Sequence, residues 1–194
     1  MEGEPDWVRP AFARAPFAVV RRAQAAAGFV AAGVRGTTRA ERFGTWIDVK
    51  DIESSISPET LLAVAPSPGR AALAAFAALA TLRETPGPLH DFAWGPTGSA
   101  GFELAAQLPT LTESSDLDVL IRMPHRRDAA SIAALAAALE HAAQRAGTRV
   151  DAQVETPAGG IALVELAQLA RGKARVLARA TDGARLVADP WQPS

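Results

Sequence analysis

The sequence predicts an α+β fold in two parts, and three observations carry that prediction. Short runs rich in β-branched and aromatic residues (residues 29–34, 117–122 and 150–154) are bounded by Gly, Pro, Asp and Thr, as strands are. Alanine-rich stretches at residues 70–83 and 130–146 repeat their larger apolar side chains at helical spacing. An Asp182-Gly183 pair inside residues 174–187 is a two-residue hairpin signal, so the strands cannot all be parallel.

Taken in order, residues 18–20 and 29–34 read as strands, with a third at residues 47–49. Ser57-Pro58-Glu59 has the form of a helix start, serine at the cap and proline in the first turn. The helix at residues 70–83 closes the first half. ETPGPLHD (residues 84–91), with two prolines and a glycine, is the best linker, which places an Arg-rich N-terminal α/β domain at 1–84 and a second domain at 85–194. Downstream come a strand at 92–94, a Gly98-Ser99 turn, a helix at 100–108 ended by Pro109, and a strand at 117–122. The helix at 130–146 takes its cap from Ser131 or Asp128 and stops at Gly147. Strands at 150–154 and 161–164 flank the turn ETPAGG.

Composition excludes several functions. With 194 residues, 48% hydrophobic and 21% charged, the chain is an ordinary folded protein rather than a disordered one. A net charge of −1 provides no field to draw it onto nucleic acid or an anionic membrane. It has no cysteine, so disulfides, thiolate zinc sites and a cysteine nucleophile are out. The start, MEGEPDWVRP, lacks the apolar core of a secretory signal, and the longest largely apolar run (residues 71–82) is too short to span a bilayer. A cytoplasmic location is therefore expected. Only two of the 20 basic residues are lysines, an arginine excess that the many alanines ascribe to base composition.

SSDLDVL (residues 114–120) carries the chemistry. In a strand, residues i and i+2 share a face, so Asp116 and Asp118 lie side by side while Leu117 and Val119 face the core. Two carboxylates that close destabilise each other unless a cation joins them. Hard oxygen donors suit Mg²⁺, which completes its shell with substrate phosphates. Upstream, Gly98 lets an anion approach the backbone, the Ser99 hydroxyl can bond a phosphate oxygen, and the helix start behind them favours negative charge. The arrangement suits a metal-bound triphosphate, with metal ions activating a hydroxyl and stabilising departing pyrophosphate. A third acid is expected on a neighbouring strand: Asp151 in RVDAQVE is the choice, Glu155 the reserve.

Other candidates carry two readings each. Arg35, Arg39 and Arg42, among glycines in GVRGTTRAERF, form either a phosphate clamp or a solvated loop. Lys173 either neutralises phosphate charge or is simply exposed. Arg21-Arg22 and Arg126-Arg127 read as solvated ends of elements. His90, His125 and His141 lack metal-ligand spacing, and the four tryptophans read as core anchors.

The pieces resemble the nucleotidyltransferase superfamily related to DNA polymerase β, and within it the phosphoribosyl-dephospho-CoA transferases that act as malonate decarboxylase holo-acyl carrier protein synthases. The resembling segments are VVRR, GVRGTTRAERF, SPETL, WGPTGSAGFE, SSDLDVL, VDAQVETPAGG and DGARLVADPW, which span most of the chain. The chain departs from the family's pattern at Pro5-Asp6 and around Leu108-Pro109. The resemblance implies a polymerase β-like mixed-sheet catalytic domain. It also implies transfer of the phosphoribosyl-dephospho-CoA group from 2′-(5″-triphosphoribosyl)-3′-dephospho-CoA to a serine of the decarboxylase's acyl carrier subunit, releasing pyrophosphate. Asp116 and Asp118 would hold Mg²⁺ and Ser99 the triphosphate, with Asp151 ligating metal or deprotonating the carrier serine. Against this stand a generic nucleotidyltransferase for a small molecule or another protein, and a non-catalytic scaffold. The intact Gly98, Ser99, Asp116, Asp118 set disfavours the scaffold, and without a basic stripe interleaved with aromatics a polymerase role is not expected. Malonate rather than citrate lyase carrier rests on the resemblance alone.

Overall fold

The computed structural model describes residues 3–38 and 40–192. The chain forms two compact units: residues up to Ser55 with Thr181–Gly183, and Ile56–Ala180 with the rest of the C-terminal segment. The boundary lies at residue 55, not at the predicted linker near residue 84. The helix that closes the first half in the sequence instead has Ala75, Phe76, Ala78, Leu79 and Leu82 buried in the core of the second unit, and apolar burial overrides the Pro-Gly punctuation behind it.

In the first unit, α1 (Val8–Arg14) packs on an antiparallel sheet of β1 (Val19–Val20), β2 (Phe29–Arg35) and β3 (Arg42–Asp48), in that order. Sequence reading missed α1. Seven residues with Pro10 inside and no side-chain cap are a weak signal, and the proline is tolerated because first-turn N–H groups lack intrahelical partners anyway. Val8 and Ala11 bury against Val34, with Trp7 and Phe43 packed alongside.

The second unit is a six-stranded mixed sheet in sequential order: β4 (Ala93–Pro96), β5 (Leu117–Arg122), β6 (Val150–Thr156), β7 (Gly159–Ala162), β8 (Val176–Ala180) and β9 (Gly183–Val187). Only the β5–β6 pair is shown parallel, joined by α4 (Ala129–Ala146); β4–β5, β6–β7 and β7–β8 are antiparallel. Asp128, not Ser131, caps α4: its carboxylate accepts the Ser131 N–H at 2.7 Å, which holds its pKa below the ordinary range. Gly147 ends the helix in the left-handed region, φ 69°. Leu117, Val119 and Ile121 of β5, Val154, Ile161 and Val176 join one core cluster with side chains of α2 (Ala74–Glu84), α4 and α5 (Leu163–Ala170).

Two local readings change. The predicted helix start at Ser57-Pro58 is a turn followed by a short 3-10 segment, Thr60–Ala63. The strand predicted at 161–164 ends at Ala162, and α5 begins at once, burying Leu163 and Leu166. A four-residue apolar run cannot distinguish strand from helix, and only the three-residue spacing of Leu163, Leu166 and Leu169 betrays the helix. Among the described residues no helix is long and apolar enough to cross a membrane.

Candidate active site

Parallel pairing in the second unit sets Asp118 of β5 directly opposite Asp151 of β6, and the same register puts Leu120 beside Gln153 and Arg122 beside Glu155. These polar side chains share one face because Leu117, Val119, Ile121 and Val154 alternate with them into the core. Asp116 sits just before β5, where the Leu117 N–H donates to the Arg149 carbonyl at 2.9 Å and continues the register backwards.

The residue joining the carboxylates is one that sequence reading passed over. Arg149 Nη2 donates to Asp116 Oδ2 at 2.9 Å and also to Asp151 Oδ2. Its guanidinium pKa is raised, first by the hydrogen bond to Asp151, then by the charges of Asp151, Asp116 and Asp118. Two carboxylates therefore share one cation, with the charge of Asp118 near enough to raise its pKa further. The signal was present in sequence: Arg149 and Asp151 are two apart, so a strand places both on one face. Glu155, the reserve acid, lies further along β6 beside Arg122 and accepts the Gln153 amide at 2.8 Å.

Gly98 and Ser99 open α3 (Gly98–Ala106), next to these carboxylates. The Thr97 N–H donates to the Asp118 carbonyl at 2.8 Å, tying the helix start to β5, and Thr97 makes no side-chain cap. Gly98 has φ 57°, and a Cβ there would overlap the Asp118 carboxylate. Gly98→Ala is thus expected to cost about 1–2 kcal/mol for the backbone alone, with further loss from displacing Asp118. Urea denaturation measures the sum, and a wild-type midpoint would show that the turn relaxes freely.

A second polar constellation holds the loop between α3 and β5. Glu103 is 1% exposed, yet its carboxylate meets Arg70 in a two-pronged ion pair (Nη2 to Oε2, 2.9 Å) and accepts the N–H groups of Thr110 (2.6 Å) and Leu111 (2.7 Å). Arg70 also donates to the Leu111 carbonyl at 2.8 Å. Burial opposes ionisation of Glu103, but Arg70 and the two amides outweigh it, and the pKa falls below its usual value. This ties down the segment that leads into Asp116.

Lys173 is exposed, with Nζ on Gln168 Oε1 at 3.2 Å. Arg35 and Arg42 belong to the sheet of the first unit, and Arg39 lies outside the described residues. Arg126 and Arg127 are more than solvated ends: Arg126 pairs with Asp189 and lies over the Trp191 ring at 5.2 Å, and Arg127 lies over Phe92 at 5.0 Å. Of the tryptophans Trp94 is a core anchor, whereas Trp46 is 57% exposed.

Comparison with known proteins agrees with the motif reading. Residues 2–58 match the family model of the phosphoribosyl-dephospho-CoA transferase MdcG N-terminal domain, and residues 61–190 that of its C-terminal domain. The chain is 43% identical over 187 residues to a phosphoribosyl-dephospho-CoA transferase of Pseudomonas putida (strain W619), covering 96% of this chain and 86% of the relative. The corresponding enzyme of Azotobacter vinelandii is 40% identical over 189 residues, covering 97% and 86%, and that of Pseudomonas aeruginosa 39% over 196 residues, covering 98% and 87%. No solved structure matches. Carrying both domains of that family over nearly its whole length, the chain belongs to the phosphoribosyl-dephospho-CoA transferases and is a transferase enzyme.

Proposed function

We propose that the protein transfers the phosphoribosyl-dephospho-CoA group from 2′-(5″-triphosphoribosyl)-3′-dephospho-CoA to a serine of the malonate decarboxylase acyl carrier protein, in the cytoplasm and with Mg²⁺. The observation that carries the reading is the cation shared by Asp116 and Asp151 beside Asp118, next to the Gly98-Ser99 start of α3. Among the described residues no three acidic or histidine side chains stand in ligand geometry as placed. The donor chemistry nevertheless fits: hard carboxylate oxygens already bind one positive group and retain net negative charge. Asp116, Asp118 and Asp151 would hold Mg²⁺, which when bound stabilises negative charge on the transferring and departing phosphate oxygens.

The protein's own residues supply the rest. N–H groups at the start of α3 and the Ser99 hydroxyl hold triphosphate oxygens, Gly98 allowing the close approach. The carrier serine oxygen forms a bond to the α-phosphorus as the α–β bridging P–O bond breaks, pyrophosphate takes the electron pair, and Asp151 accepts the serine proton. Arg35, Arg39 and Arg42 serve as the phosphate clamp of the N-terminal unit, and Lys173 offsets phosphate charge.

Mass spectrometry of the apo carrier incubated with enzyme, Mg²⁺ and the triphosphoribosyl substrate tests the reading. A carrier mass increase by the prosthetic group, lost with EDTA, is expected. An unmodified carrier with substrate demonstrably bound would sink it. A related expectation concerns Arg149, which occupies oxygens a metal would use. Removing a competing cation held by exposed pairs should tighten Mn²⁺ binding about three- to tenfold in Arg149→Gln. Electron paramagnetic resonance titration reads free Mn²⁺ directly, and equal or weaker binding would show that Arg149 does not compete.

A further inference from the structure

The sheet of the first unit has two unlike faces. Val30 opposite Ile47, Ala32 opposite Thr45 and Val34 opposite Phe43 share the face toward α1, where Val34 and Phe43 pack with Val8 and Ala11. The alternate pairs, Phe29 opposite Asp48, Ala31 opposite Trp46, Gly33 opposite Gly44 and Arg35 opposite Arg42, form the other face. Its centre is a two-glycine trough filled by Arg21. A Cβ on Gly33 would lie 3.3 Å from Arg21 Cδ, and one on Gly44 would overlap the Arg21 guanidinium. Along this face a guanidinium therefore lies between an indole and a directly opposed arginine pair.

Arg21 brings a third guanidinium to the face that Arg35 and Arg42 share. Trp46 is 57% exposed and Phe29 44%, large aromatic surfaces left in water. Trp46 is nonetheless held in place, its Nε1 donating to the Gln24 carbonyl at 3.1 Å. With Phe29, Gln24, Ala25 and Ala26 it lines an open surface hollow of about 490 Å³. Four residues of extended strand, about 14 Å, separate Trp46 from Arg42, with Arg21 between them. A flat aromatic group at one end and anionic oxygens toward the other match this order, since indole rings stack on bases and guanidinium forks bind phosphate.

We infer that this face binds the adenosine diphosphate portion of dephospho-CoA, Trp46 stacking on the adenine and Arg21 with Arg42 holding the diphosphate. The inference rests on the proposed function for the identity of the substrate. It assigns the CoA moiety to the N-terminal unit.

Isothermal titration of the full chain with dephospho-CoA, ADP and phosphopantetheine tests it, beside the carrier transfer assay. Because Trp46 is exposed, Trp46→Ala should fold, and Trp46→Phe keeps a stacking ring. Trp46→Ala is expected to lose about 5- to 150-fold in affinity for dephospho-CoA and ADP, with Trp46→Phe restoring most of it and phosphopantetheine unaffected. Arg21→Ala should weaken both nucleotides and flatten their salt dependence. If Trp46→Ala binds dephospho-CoA like wild type while wild type still modifies the carrier, the base is held elsewhere: the inference fails and the proposed function stands. The same outcome with lost binding of the apo carrier would make this face a protein dock and likewise overturn the inference. Wild type binding neither dephospho-CoA nor ADP would overturn both.

Discussion

Asp116→Asn is expected to lower carrier modification by at least about 10³-fold, because charge stabilisation by a held metal is worth several kcal/mol and each 1.36 kcal/mol is tenfold in rate. The substitution keeps the shape of the side chain and removes its charge. Folding should hardly notice. Arg149, whose side chain is 72% exposed, loses one of two partners, and exposed pairs contribute about 0–1 kcal/mol each. Relief of repulsion among three carboxylates offsets even that, as at many functional sites. Asp118→Asn should behave alike, and the double variant should be little worse than either single one, since residues acting as a unit are not additive. Single-turnover mass spectrometry of the carrier and a thermal melt together decide the matter. A variant with wild-type rate removes Asp116 from the mechanism; one that melts far below wild type makes its role structural.

Arg70→Met is expected to cost about 3–5 kcal/mol of folding stability, the usual result of stranding a buried charge. Glu103 would remain 1% exposed, with the Thr110 and Leu111 amides but no cation. The pH dependence distinguishes this from lost packing. In wild type the Glu103 pKa is depressed below 4.5, so its contribution is complete above that value and is lost as pH falls through the folded-state pKa. The deficit of Arg70→Met should therefore be largest near neutrality and shrink below about pH 4.5. Urea denaturation from pH 7 to pH 4 measures it, and a deficit that stays constant in acid would assign the loss to the arginine's stem. Since the pair anchors the loop into Asp116, activity should fall even where the variant remains folded.

Much of the candidate site was legible in the sequence because it depends on local rules. The period-two alternation of Asp116, Leu117, Asp118 and Val119 put acids on one side and core on the other. Gly98-Ser99 before an apolar helix marked the turn that opens α3, and Ser131 or Asp128 at one end and Gly147 at the other bracketed α4. These features follow from backbone stereochemistry within a few residues, which a single chain segment states completely.

Tertiary structure decided the rest. Only the parallel register of β5 and β6 makes Asp151 rather than Glu155 the neighbour of Asp118. The same register turns Arg149, one arginine among many, into the cation that Asp116 and Asp151 share. No sequence signal marks Glu103, around which Arg70, 33 positions away, and the amides of Thr110 and Leu111 close. Trp46 read as core, yet it lies on the sheet face opposite the one α1 covers, because strand parity and the placement of one short helix settle which side is wet. Local sequence determines which groups point together along an element. Which element lies beside it, and so which charges must neutralise one another, is set by burial of apolar surface over the whole unit, a sum that no single segment contains.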